Sequence, residues 1–173
     1  MVLTVLSTSL VTAANDVYVI RGNERSLEQI QKAYAEIPPV QYTPPSDRWE
    51  RLPKTKELLL NGGALRVVML GDSIVNDTSR SGWELLVERR HPTCRIEKVT
   101  CVRGSTGCWW YKEPGRVKEY VLDHMPDLVI IGGISHRGDV IPIREVIQQI
   151  RGASQADILL MTGAFGQVDP RIE

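Results

Sequence analysis

The sequence predicts an α/β fold built on a doubly wound parallel sheet with about four strands. From Leu65 onward, short runs rich in Val, Ile and Leu alternate with amphipathic segments, the pattern of parallel strands buried on both faces and joined by crossover helices. The 173 residues, 42% hydrophobic and 24% charged, suffice for one core preceded by an extension.

Taken in order, residues 1–14 (MVLTVLSTSLVTAA) form an apolar stretch ending in small residues. It reads as a signal peptide cleaved after Thr12-Ala13-Ala14, which implies export; no Lys or Arg precedes it, and a buried helix or strand is the other reading. The run is too short and too rich in Thr and Ser for a membrane span. Residues 15–63 read as an N-terminal extension, with a helix over Ser26–Ala35 and then a proline-rich stretch. Pro38, Pro39, Pro44 and Pro45 lack main-chain donors and restrict the residues before them, so an extended strap over the surface is expected. Pro53 opens a short helix to Leu60, and Asn61-Gly62-Gly63 stops it.

Residues 64–173 form the main domain. LRVVML is followed by a helix near Trp83–Arg90, RIEKVTCV by one near Arg116–His124, DLVII by one near Ile141–Arg151, and DILLMT comes last. Ile143, Val146, Ile147 and Ile150 fall on one helical stripe. In an open parallel sheet the functional groups gather at the carboxyl ends of the strands. Three such ends, GDSIVNDTS, RGSTGCWWY and GGISHRGD, should therefore share one edge.

Composition narrows the function classes. With 21 basic and 21 acidic residues and no run of one sign, nucleic-acid binding is not expected, and small neutral or mixed substrates fit better. Cys94, Cys101 and Cys108 match no zinc spacing and read as buried small hydrophobes, with one disulfide as the alternative if the chain is exported. No cofactor is expected: no G-x-G-x-x-G follows the first strand and no P-loop lysine appears, which disfavours a nucleotide or flavin binder.

The chemistry converges on Ser73. Val67-Val68-Met69-Leu70 runs directly into Gly71-Asp72-Ser73, so the glycine allows a tight bend and the serine projects past the strand end. Main-chain N–H groups at the turn can stabilise an oxyanion, and a bare turn with a helix cap is the structural alternative.

A Gly-Asp-Ser turn directly after a buried strand resembles the first block of the GDSL/SGNH hydrolases. Val102-Arg103-Gly104-Ser105-Thr106-Gly107 is similar to the family's second block, N-x-G-x-S-G, and the resemblance gives Gly107 an oxyanion-hole role. The third block, G-x-N-D, corresponds to Gly133-Ile134-Ser135-His136. Ser135 stands there in place of the oxyanion asparagine, with Gly132 or the Ser105 hydroxyl able to compensate, and His136 stands in place of aspartate. The fourth block, D-x-x-H, corresponds to Asp169-Pro170-Arg171-Ile172, with isoleucine where the general base is needed. The resemblance covers about residues 64–173 and implies a flavodoxin-like, three-layer α/β/α fold. The expectation is a fragment of a longer hydrolase whose base lies beyond residue 173.

Within the chain, His136 is the histidine best placed to serve as base, an exposed loop position or a substrate contact being the other readings. His91 and His124 read as helix C-terminal residues. Trp109, Trp110 and Tyr111 would form a sugar platform or acyl-pocket wall, or else core aromatics under the strap. Asn76, Asp77 and Arg80 would line the mouth, or Asp77 or Thr78 would cap the helix; Arg137 and Asp139 would pair in a loop. The functional expectation is an esterase or deacylase acting on a small or carbohydrate-linked ester through an acyl-enzyme on Ser73. The alternative is a non-catalytic ligand-binding domain that retains the hydrolase fold.

Overall fold

The computed structural model describes residues 18–21, 27–36, 43, 46–133 and 140–161. Strands β1 (Tyr18–Arg21), β2 (Gly63–Gly71), β3 (Cys94–Val102), β4 (Leu128–Ile131) and β5 (Asp157–Leu160) form one sheet in the order β1-β3-β2-β4-β5. The last four in sequence run parallel, and β1 pairs antiparallel with β3, Tyr18 opposite Val102 and Arg21 opposite Val99. The parallel strands are the four expected. The fifth, β1, lies within residues 15–63, where the sequence reading named a helix and a proline-rich stretch but no strand. Four residues are too few to show a periodicity, and an antiparallel edge strand needs no crossover helix to announce it.

Side chains alternate across the sheet and build two cores. On one face Val68 and Leu70 of β2, Val99 and Cys101 of β3, and Val129 and Ile131 of β4 pack with helices α5 (Cys108–Tyr111), α6 (Arg116–Tyr120) and α7 (Val140–Ala153). On the other, Leu65, Val67 and Met69, with Cys94, Ile96 and Val102 of β3, pack with helices α2 (Pro53–Asn61), α3 (Ser73–Ser79) and α4 (Trp83–Arg90). The result is a three-layer α/β/α arrangement. The α7 stripe is as expected, with Ile143, Val146 and Ile150 buried and Ile147 partly so. The helix expected near Arg116–His124 is instead divided, α6 giving way to a 3₁₀ turn at Leu122–His124. Helix α1 (Leu27–Ala35) docks through the buried Ile30 onto Gly82. Gly62 ends α2 at φ 87° and donates to Leu58 O at 3.0 Å, the stop read from the sequence. The three cysteines are buried thiols, with Cys94 on one face and Cys101 and Cys108 on the other.

At the amino ends of the strands, two buried aspartates tie the layers together. Asp157 Oδ2 accepts from Thr55 N at 2.6 Å, so a strand carboxylate caps α2 from 102 residues away. Asp127 accepts from Arg66 N at 2.9 Å and Nε at 3.2 Å and pairs with Lys54 Nζ at 2.8 Å. Burial pushes the Asp127 carboxyl up, but the contacts from Lys54 and Arg66 outweigh it and hold it below the usual carboxylate range. A depressed native pKa stabilises the fold above the unfolded value of about 3.9, and that contribution disappears as the pH falls through the native one. Asp127→Asn is therefore expected to cost about 1–2 kcal/mol at pH 7, a modest figure because both cations are partly solvated. Urea unfolding at pH 7 and pH 3 should show the wild type losing more stability on acidification than the variant.

Candidate functional site

The chain leaves β2 for β3 on one side of it and leaves β4 for β5 on the other, so the topological switch point lies between the adjacent strands β2 and β4. Crevices form there, beyond the carboxyl ends. Gly71 ends β2 and is followed by Asp72 and Ser73, and Gly132 and Gly133 follow β4. The two turns pack tightly. A Cβ on Gly71 would lie 2.6 Å from Gly132 O, and one on Gly133 would lie 2.1 Å from Asp72 Oδ1. Gly133 also adopts φ 83°, a left-handed conformation natural to glycine.

Ser73 is exposed as the first residue of α3. Asp72, 1% exposed, caps that helix, its Oδ1 accepting from Ile74 N at 2.9 Å. This corrects the assignment of capping to Asp77 or Thr78: Asp77 is exposed, and Thr78 Oγ1 donates back to Ile74 O at 2.8 Å. The true cap precedes the nucleophile candidate, where its side chain turns inward and leaves the serine facing outward. One turn on, the Asn76 side-chain oxygen is buried with no hydrogen-bond partner among the described residues, and Arg80 is exposed.

The loop after β3 leaves the sheet beside this turn. Gly71 pairs with Val102 at the end of the ladder, and Arg103 N continues it by donating to Gly71 O at 3.0 Å. Ser105 is exposed at φ 53°, and Thr106 is fully buried with its hydroxyl unpartnered among the described residues. Gly107 is extended and caps α5, its carbonyl accepting from Trp110 N at 2.9 Å. The main-chain N–H groups of Ser73 and Gly107 donate to no main-chain acceptor among the described residues.

The aromatic triplet serves three different environments. Trp109 is 52% exposed. Two guanidinium groups lie over the Trp110 ring, Arg116 at 3.7 Å and Arg103 at 5.0 Å from its centre. Tyr111 is fully buried, and its hydroxyl donates to Gly71 O at 2.7 Å. Burial holds that phenol far above its ordinary range, so it remains a neutral donor. Core packing therefore describes Tyr111, on the α5–α7 face. This tether to the turn before Ser73 had no sequence signal, because its partners are 40 residues apart.

Ser135 and His136, with Arg137 and Asp139, lie outside the described residues, as do Asp169–Ile172 and residues 1–14; the chain reaches the first group directly from Gly133, packed on Asp72. His91 ends α4, its N–H donating to Val87 O at 2.8 Å, and His124 ends the 3₁₀ turn. Each lies shortly before a strand, His91 before β3 and His124 before β4, which puts them at the amino end of the sheet, opposite Ser73. Among the described residues no cluster of His, Cys, Asp and Glu could hold a metal, and no helix is long and apolar enough to cross a membrane. In comparisons with known proteins, no family model and no curated protein matched the chain.

Proposed function

We propose that the chain is a serine esterase or deacylase of the GDSL/SGNH type, with Ser73 as nucleophile and a small or carbohydrate-linked ester as substrate. The observation that carries this reading is the placement of Ser73: an exposed hydroxyl at the carboxyl end of a central parallel strand, at the switch point, on a turn braced by Asp72, Gly133 and Tyr111. Ser73 Oγ attacks the ester carbonyl carbon and gives its proton to a histidine base. The proton then goes to the departing alcohol, leaving an acyl-serine that water hydrolyses. The N–H groups of Ser73 and Gly107 are the donors for the oxyanion, and Ser135 supplies the third donor position. The histidine in this sequence that follows a strand at the Ser73 edge is His136.

The exposed ring of Trp109, two residues beyond Gly107, supports a substrate with a flat apolar face such as a sugar. A fluorophosphonate probe is expected to label the wild-type chain and not Ser73→Ala, with the adduct located on Ser73 by mass spectrometry. Labelling that survives the substitution overturns the assignment. Ester binding without Ser73-dependent turnover would favour the non-catalytic binding domain instead.

A further inference from the structure

Three elements meet around a cavity of about 420 Å³ on the face of the sheet that carries α2 and α4. The turn at 46–51 supplies Arg48 and Trp49, α2 supplies Lys56, Leu59 and Leu60, and the end of α4 supplies Arg90 and His91. Lys56, Leu59 and Leu60 share one stripe of α2, being three and four residues apart. Leu59 is buried in the core, Trp49 packs against the same core, and Leu60 is 64% exposed. The cavity therefore has an apolar floor, and its volume falls in the range of small-molecule sites, about 300–1,000 Å³.

Its charge has one sign. Arg48, Lys56 and Arg90 are cations, and no carboxylate lines the cavity among the described residues. Asp47, Glu50 and Glu57 belong to the same elements but lie outside the lining, and Glu88 of α4 turns away to accept from Ile96 N at 2.7 Å. The Arg48 guanidinium lies 5.6 Å from the centre of the Trp49 ring. The side chains of Lys56 and Arg90 are exposed and have no ion-pair or hydrogen-bond partner among the described residues. Both α2 and α4 end here, and their carbonyl ends carry about half a negative charge each, less than the three full positive charges. Arg90, in the last turn of α4, offsets that dipole with or without a ligand. Lys56, inside α2, and Arg48, outside any helix, have no such duty.

We infer that this cavity binds a small amphiphilic anion, a flat apolar body carrying a phosphate-type dianion. The body packs on Trp49 and Leu59, and the anionic group accepts charge-assisted hydrogen bonds from Lys56 and Arg90. Three cations from three separate elements suit a dianion better than a single carboxylate, and a concave floor that reaches the core suits a small molecule better than a bilayer surface. The site stands at the amino ends of β2 and β3, opposite Ser73, and uses no residue of the esterase reading, so either can fail without the other.

The test titrates the full chain with 1-naphthylmethylphosphonate, read by calorimetry and by the indole N–H resonance of Trp49 in heteronuclear NMR, assigned through Trp49→Phe. Saturable binding is expected, with a sub-millimolar dissociation constant that rises with salt and a shift of that resonance. Inorganic phosphate, 1-naphthol and 1-naphthylmethylammonium should each bind at least about tenfold more weakly, since each lacks the body or the negative charge. Lys56→Gln/Arg90→Gln removes two exposed, unpaired side chains, so it should stay folded by circular dichroism and lose about tenfold in affinity. Equal binding of any of the three control compounds, saturation that leaves the Trp49 resonance unmoved, no binding, or full affinity in the double variant overturns the inference. So does binding to phosphatidylserine vesicles that the soluble phosphonate does not compete.

Discussion

Gly133→Ala is expected to destabilise the protein by about 2–6 kcal/mol, the sum of a left-handed backbone penalty and an overpacking penalty of roughly 1–3 kcal/mol each. The backbone there has φ 83°, and the new methyl would lie 2.1 Å from Asp72 Oδ1. Neither side can yield freely, since that oxygen caps α3 and the carboxylate is 1% exposed. Displacing it also disturbs the turn carrying Ser73, so the fraction that remains folded should react more slowly with a fluorophosphonate. Gly152→Ala is the control: a Cβ there meets nothing within 4 Å in the last turn of α7, and it should be neutral or gain up to about 1 kcal/mol. Urea unfolding of the three proteins checks both expectations.

Lys98→Met is expected to cost about 3–5 kcal/mol, because it strands a buried charge. Lys98 Nζ meets Glu84 Oε1 at 2.6 Å, with side chains only 5% and 1% exposed, and also donates to Ser79 O. The other oxygen of Glu84 is buried with no hydrogen-bond partner among the described residues. Without the lysine the carboxylate has neither water nor a counter-charge. Removing both charges in Lys98→Met/Glu84→Leu should restore most of the loss, or exceed the wild type, since the desolvation of two ions disappears with their attraction. The double-mutant cycle from urea unfolding separates that coupling from the loss of packing.

These two sites also show what could be read from residues alone. The strands β2 to β5 were legible because their apolar runs are local, and α7 because its stripe repeats at helical spacing. The edge bearing Ser73 and the Gly107 loop followed from the rule that loops gather at carboxyl ends. Lys98 was within reach: it shares a strand face with Ile96, Thr100 and Val102, which are buried, so alternation alone places its ammonium inside. Asp72 was hidden because a cap is chosen by tertiary packing, here by the missing side chain of Gly133. Tyr111 and β1 were hidden because their partners are distant in sequence. The placement of His91 and His124 at the opposite end from Ser73 needed the strand order, which no local pattern encodes.

The bond from Thr55 N to Asp157 Oδ2 gives the fold a dependence on time. Its partners are 102 residues apart, and a ribosome adding ~5–20 residues per second leaves α2 without its cap for ~5–20 s after that helix is made. Pro53, at the first position of α2, presets the backbone through that interval but offers no acceptor for the waiting N–H. A nascent chain halted before residue 157 would thus carry an α2 prone to fraying at its amino end, together with an open β4 edge. Emergence of the last described strand closes both at once.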